Sequence, residues 1–436
     1  MLADALRRAG VVGAGGAGFP THVKAGAQVD FVLANGAECE PLLHKDFELM
    51  VHFAEPVVEG MELLRQATGA AQGKFGIKEK NKAAIAAVEP YARSKNFDLV
   101  LLGDFYPSGD EYELVYEATR RLIPAAGIPL QVGCVVSNVE TLYNAFYAAQ
   151  GQPVTRKFVS VNGAVRRPKS FWVPVGTSFR DLIAICGGAT CGEYALFVSG
   201  LMMGSLSFDE DDVVTKTTGG LIVLPKEHYL VERRVQPARV MSHIGKSACD
   251  QCSYCTEFCP RYLLGYDVQP HKVMRSLGFS LTGAQNWNQW GELCCACGLC
   301  TLYACPEDLF PKEACDQAKH DLRADGIKFV QQKPVQVHPM KEARRVPLSM
   351  LRKRLKVEEY EGETPYDARP HQPERVRLKL KQHAGKAAAA VVAKGDKVKP
   401  GALVAAIGEK ELGANVHASI AGTVTAVTDT AIEIRA

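Results

Sequence analysis

Apolar residues recur along the chain with two different periods, and the changes of period divide it. Residues 2–9 place Leu2, Ala5, Leu6 and Ala9 on one face of a predicted helix. Three short apolar runs follow, Phe31-Val-Leu-Ala34, Asp98-Leu-Val-Leu-Leu102 and Gln131-Val-Gly-Cys-Val-Val136, read as strands, the second of them buried. Each is followed by a polar tip: Asn35 to Pro41, Tyr106 to Glu111, and Ser137 to Thr141. Helices are expected after the second and third tips, to about residue 122 and about Gln150. Such an α/β arrangement places ligands at the C-terminal ends of its strands.

Further on the pattern shortens. Lys157-Phe-Val-Ser-Val161 alternates, Asn162-Gly163 reads as a hairpin turn, and Phe171-Trp-Val-Pro-Val175 returns. Phe179 to Cys186 is a short helix ended by Gly187-Gly188, and Gly219 to Leu224 closes the region as a strand. Residues 330–380 are rich in Lys, Arg, Glu and Pro. Their basic run, Arg344, Arg345, Arg352, Lys353, Arg354 and Lys356, is expected to be a solvated helix face and linker.

Composition narrows the class. At roughly 150 residues per domain, 436 residues suggest about three domains. A hydrophobic share of 47% with 23% charged residues is globular rather than disordered. A net charge of +3 is too small for general nucleic-acid binding. No apolar run approaches the roughly 18 residues of a membrane span. Asp4, Arg7 and Arg8 stand where a secretory signal needs an apolar core, so a cytoplasmic location is expected. There, 14 cysteines are not expected to pair as disulfides.

The cysteines concentrate in one block. Cys249, Cys252, Cys255 and Cys259, followed by Pro260, form C-x2-C-x2-C-x3-C-P. Cys294, Cys297, Cys300 and Cys305, followed by Pro306, form the same run with one extra residue before the last cysteine. This is the spacing of two-cluster bacterial ferredoxins, in which the fourth cysteine of each run ligates the other cluster. Two [4Fe–4S] clusters are therefore expected, one on Cys249, Cys252, Cys255 and Cys305, the other on Cys294, Cys297, Cys300 and Cys259. Structural zinc, which prefers two separated C-x2-C pairs, fits poorly. Cys295 is an alternative to Cys294 as ligand. Cys39, Cys134, Cys186, Cys191 and Cys315 have no ligand spacing and are expected to be buried thiols.

Residues 13–24 contain G-x-G-x-x-G at Gly13, Gly15 and Gly18, with Gly16 between and Lys24 beyond. A helix precedes this loop and Pro20 follows it, so the Rossmann order of strand, loop and helix is absent. Glycines still let backbone N–H groups approach a phosphate, and Lys24 adds positive charge.

Together the glycine loop, the three tips and the cysteine block resemble the NADH-accepting flavoprotein of respiratory complex I. They are more similar to the C subunits of Rnf electron-transport complexes. The order of domains, and a start directly at the first helix, resemble the cobalamin reductases of propanediol-utilisation microcompartments. The resemblance implies a multidomain α/β and α+β chain. Its parts are a Rossmann-like FMN/NADH domain (1–153), a soluble-ligand-binding β-grasp (SLBB) domain (154–235), a helical ferredoxin-like two-cluster domain (236–330), a basic linker (331–372) and a barrel-sandwich hybrid (373–436). In the last, the position of a carrier lysine is Glu411, so no swinging arm is expected.

By the same resemblance Gly13, Gly15 and Lys24 match positions cradling the FMN phosphate, in the loop that also holds Gly16 and Gly18. Asn35 and Glu38 match polar flavin contacts; Gly109, Asp110 and Glu111 match a third loop; Asn138 and Thr141 match a fourth, in which Ser137 also stands. Phe19 and Glu40 match positions near the nicotinamide. Ala37 and Ser137 depart from the complex I pattern. The implied activity is NADH oxidation through FMN and two clusters, with no catalytic acid, base or nucleophile among the side chains. The implied acceptor is cobalamin, with an adenosyltransferase and a microcompartment shell protein as partners. An Rnf-type subunit of a membrane complex and a non-catalytic cluster scaffold are the alternatives.

Overall fold

The structure, a computed structural model, describes residues 1–278, 284–328 and 330–436; residues 279–283 and 329, inside the expected cluster domain, lie outside that description. Leu2–Ala9 forms helix α1, which buries Leu6 and Ala9. Gly10 ends it at φ 67°, and the Gly10 and Val11 amides return to the carbonyls of Arg7 and Leu6. Then come α2 (Thr21–Ala25), β1 (Phe31–Gly36), α3 (Lys45–His52), α4 (Ala54–Ala67), β2 (Gln72–Lys78), α5 (Lys82–Ser94) and β3 (Asp98–Leu102). The first unit closes with β4 (Phe105–Tyr106), α6 (Glu111–Thr119), β5 (Cys134–Asn138) and α7 (Val139–Ala149).

Strands β3, β2, β1 and β5 form, in that order, a parallel sheet. Side chains alternate across it. Val32, Ala34 and Val135 pack with Val57 and Met61 of α4 and Leu142 of α7, whereas Leu33 and Val136 pack with Leu114 and Val115 of α6. The chain leaves β1 toward β2 on one side and finds β5 on the other, so a switch point opens at the C-terminal ends of β1 and β5.

Several elements differ from the sequence reading. Strand β3 is not buried: it is an edge strand, with Leu101 53% exposed. Pro129–Val132 forms a 3₁₀ turn closed by left-handed Gly133, so β5 begins at Cys134 rather than Gln131. Helix α6 stops at Thr119 because Arg120 turns left-handed. Strand β2 has no apolar run to announce it, because Gly73, Lys74, Gly76 and Lys78 interrupt it.

A second sheet follows from β6 (Arg156–Gly163), β7 (Lys169–Pro174), β8 (Tyr194–Val198), β9 (Ser205–Ser207) and β10 (Gly220–Pro225), with α8 (Phe179–Ile185) packed on it. The order is β7-β6-β10-β8-β9. Asn162-Gly163 is not the hairpin turn but the end of β6, paired with Ile222 and Val223. Asn162 Nδ2 donates to the Leu42 carbonyl at 3.1 Å, and a Cβ on Gly163 would meet the Val223 carbonyl oxygen at 2.1 Å. Glycine is required there by close approach of two strands, not by a tight turn.

The extra residue in the second cysteine run is absorbed by a π-helical turn over Cys300–Ala304. The basic stretch is not a solvated linker. Val346–Pro347 pairs with β4, and the helix Leu348–Arg354 buries Leu348 and Leu351. Lys341 Nζ lies 2.5 Å from Glu113 and 2.8 Å from Glu117 on α6, while Arg352 and Arg354 pair with Glu361 and Asp308. Carboxylates on other elements supply what solvent was expected to supply; only Lys353 and Lys356 of the run stay exposed. The C-terminal strands form a four-stranded and a three-stranded sheet around a core that includes Val376, Val404, Ile432 and Ile434.

Candidate functional site

A cavity of about 760 Å³ opens at the switch point, within the usual range of about 300–1,000 Å³ for ligand pockets. Of the sequence-predicted residues, Gly15, Gly16, Asn35, Glu38, Glu40, Gly109, Asp110 and Asn138 line it. Asn35 and Asn138 are register partners at the ends of β1 and β5. Asn35 Nδ2 donates to the Gly109 carbonyl at 2.9 Å, and a Cβ on Gly109 would lie 2.4 Å from the Ala37 carbonyl oxygen, so the tips after β1 and β4 interlock. Asn138 caps α7 by accepting from Glu140 N at 3.0 Å.

Other predicted residues stand behind the wall. Thr141 Oγ1 accepts from the Ala14 amide at 2.8 Å and fixes the glycine loop. Gly13 N donates to Phe19 O at 2.9 Å, closing that loop's base. Lys24 does not reach the cavity wall: its Nζ donates to the Val136 carbonyl at 2.7 Å, and burial pulls its pKa down although Glu111 opposes this. Gly18 lines a neighbouring compartment. Ser137 Oγ is buried with no hydrogen-bond partner among the described residues.

The floor was missed by sequence reasoning. Lys45 reaches Asp46 and, at 3.0 Å, Glu140; Lys157 reaches the same Glu140 oxygen; Phe158 N donates to its other oxygen at 3.1 Å. Burial works to raise the Glu140 pKa, yet the Lys157 and Lys45 ammoniums hold it below the ordinary carboxylate range. Asp46 also accepts from Asn138 Nδ2 at 2.7 Å, and its amide donates to Glu38 at 3.0 Å. Glu38 is pushed up to about 8, by burial first and Asp46 second. Glu40 accepts from the amides of Met202 and Met203 at 2.9 and 2.8 Å, which ties the tip to the second sheet; burial lifts it to about 7.

The cysteine runs form two groups. Cys249, Cys252, Cys255 and Cys305 line one small cavity. Cys259, Cys297 and Cys300 form the other, with Cys295 against Cys297 and Cys294 against Cys315. Burial, then the closeness of Cys305, Cys249 and Cys252, pushes the Cys255 thiol up to about 12. Four crowded thiols fit a strongly electropositive group that makes all of them thiolates. Cys134, Cys186 and Cys315 are buried as expected; Cys39 and Cys191 are only half-buried.

Two contacts join the flavin-type cavity to the second cysteine group. Tyr106 Oη donates to the Cys297 carbonyl at 2.7 Å. Asp110 takes Arg261 at 2.6 and 3.1 Å, and that guanidinium lies over the Tyr112 ring at 3.6 Å, two residues past Cys259.

Four parts of the chain match known protein families. Residues 6–146 match the Nuo51 FMN-binding domain, 158–205 the SLBB domain, 248–310 the 4Fe-4S dicluster domain and 364–435 the RnfC barrel sandwich hybrid domain. The chain is 40% identical to cobalamin reductase PduS of Salmonella typhimurium over 99% of its own length and 96% of that protein. It belongs to the PduS cobalamin reductase family. The corresponding component of the Na(+)-translocating ferredoxin:NAD(+) oxidoreductase complex of Acetobacterium woodii is 34% identical over 60% of this chain and 59% of that one. A NAD+-reducing [NiFe]-hydrogenase superposes with a TM-score of 0.49 at 21% identity, over 82% of this chain and 66% of that chain. The family carries an FMN domain and a dicluster domain in one chain, so this member is an electron-transfer flavoprotein. Among the described residues no helix is long and apolar enough to cross a membrane.

Proposed function

We propose that this chain oxidises NADH and passes the electrons through FMN and two [4Fe–4S] clusters to cobalamin. The carrying observation is the pair of contacts, Tyr106 to Cys297 and Asp110 to Arg261, that fasten the tip Tyr106 to Glu111 to one cysteine group. They favour cluster two, on Cys259, Cys297, Cys300 and Cys294 or Cys295, as the one nearer the flavin, with cluster one, on Cys249, Cys252, Cys255 and Cys305, beyond it.

The residues present fit FMN. Gly16 has nothing within 4 Å of where a Cβ would stand, and Gly15 presents its backbone beside Asn138, so a phosphate can meet bare amides there. Asn35, Glu38 and Asn138 would hold the ring system. FMN bound there supplies the conversion of one two-electron transfer into two one-electron transfers. The chain's own part is positional. The Lys45–Glu140–Lys157 floor fixes Asp46 and, through it, Asn138 and Glu38. Glu40 ties the cavity wall to the loop of the second sheet that carries Met202 and Met203.

By its likeness to PduS the chain would act beside a cobalamin adenosyltransferase, in the cytoplasm within a microcompartment shell. The test is anaerobic: flavin, iron and sulfide are counted per chain, and NADH-driven reduction of hydroxocobalamin is followed with and without membranes. Flavin bleaching by NADH with cobalamin reduction in the soluble fraction is expected. A colourless protein, or one holding only zinc, overturns the reading.

A further inference from the structure

The cavity continues past the flavin domain. A second compartment of about 410 Å³ adjoins it, and the two share Gly16, Ala17, Thr215, Thr217 and Lys379. Thr215 and Thr217 come from the loop before β10, Lys379 from the strand Arg375–Lys379 of the C-terminal domain, and Lys381 follows it. The walls are fastened together. Ala384 N donates to Gly18 O at 2.9 Å, Lys216 N donates to Gln382 Oε1 at 2.9 Å, and the buried Lys216 Nζ donates to Gly10 O at 2.7 Å and Asn415 O at 2.6 Å. A Cβ on Gly18 would stand 3.0 Å from both His383 Cα and Thr217 Cγ2, so the glycine loop is pressed against both other domains.

The lining is chemically one-sided. It holds two lysines, two threonines, Gln382, His383 and the glycine-loop backbone, and no carboxylate among the described residues. Lys379 pairs at 2.5 Å with Asp212, which lines the larger cavity but not this compartment and also faces Arg377 at 3.4 Å, so the carboxylate keeps a cation if Lys379 turns to a ligand. Lys381 is exposed at the rim. Lys24, by contrast, is spent on the Val136 carbonyl.

We propose that Lys379 and Lys381, with Thr215 and Thr217, form a phosphate-binding wall opposite the glycine loop, so that the barrel-sandwich domain completes the nucleotide site. The ligand chemistry is a nucleotide phosphate: the monoester of FMN or the pyrophosphate of the dinucleotide. This rests on the flavin reading above.

The test uses the full cluster-loaded chain, stripped of flavin and titrated with FMN and with riboflavin by fluorescence, then saturated with FMN and bleached with NADH. In Lys379→Ala/Lys381→Ala, one source predicts FMN affinity at least tenfold weaker with riboflavin affinity unchanged. The other predicts unchanged FMN affinity and an NADH requirement for half-bleaching at least tenfold higher. The double arginine variant recovers most of either loss. The single Lys381→Ala variant, at an exposed site, shows a smaller shift in the same direction and guards against misfolding. If both affinities stay within twofold of wild type, the proposal is wrong. If wild type itself binds no flavin, the earlier reading fails instead.

Discussion

Glu140 has no solvent exposure, and two lysines and a backbone amide converge on its carboxylate. Removing one member of such a group strands the others in a medium that solvates charge poorly. Glu140→Gln is expected to cost about 3–5 kcal/mol, read as a lowered thermal midpoint and loss of bound flavin. Glu38 behaves differently, because its pKa is raised to about 8. A carboxyl raised on folding contributes stability fully below its unfolded pKa and loses it as pH rises through the folded value. Wild type should therefore lose stability as pH rises from about 4.5 through about 8, as denaturation midpoints would show. Glu38→Gln keeps an acceptor for Asp46 N and should flatten that decline, converging with wild type at the acidic end. Parallel curves would exclude the assignment. The sequence pointed to Glu38 and to the tip around Glu140, but gave no sign of Lys45, Asp46 or Lys157. Charges look like surface residues until the fold brings opposite signs together, and no local period records that.

At the scale of elements, what could be read was what is local. The ends of β1 and β5 and the caps of α6 and α7 were visible because polar residues follow short apolar runs. The extra residue before Cys305 was visible as a spacing, though not its resolution into a π-helical turn. Strand β2 and the edge position of β3 were hidden, since both are settled by neighbours distant in sequence. The strap after residue 330 is the clearest case: it has the composition of a linker, yet Lys341 is buried against Glu113 and Glu117. Lys341→Ala leaves Glu113, among the described residues, with Arg345 alone at 3.1 Å, and is expected to destabilise by about 3 kcal/mol. Because the strap pairs with β4, which carries Tyr106, the variant should also slow electron transfer from flavin to clusters while leaving iron content unchanged. Stopped-flow reduction by NADH separates the two effects. A loss of stability with the transfer rate intact would confine the strap to a structural role.

Across the whole molecule the proposed direction of electron flow follows from which cysteine group touches the cavity at the switch point. Tyr106 and Asp110 line that cavity and also contact the Cys297 carbonyl of the second cysteine group and Arg261, two residues past Cys259. Among the described residues, those around the other group, Cys249, Cys252, Cys255 and Cys305, include none from the cavity wall. The two groups are themselves neighbours, since Cys255 is close enough to Cys300 to act on its ionisation. A single path through cluster two toward cluster one is the simplest circuit with these contacts, and it predicts asymmetric losses. Cys252→Ala and Cys297→Ala should each remove one cluster, about four irons per chain. In both, NADH should still bleach the flavin, because the glycine loop and the switch point are untouched. In Cys252→Ala the remaining cluster should still be reduced by NADH, giving its electron-paramagnetic signal, while cobalamin reduction falls. In Cys297→Ala the surviving cluster should stay oxidised after bleaching, since its donor is gone. If that cluster is instead reduced at the wild-type rate, electrons reach it without passing Tyr106 and Arg261, and the order of the two groups is reversed.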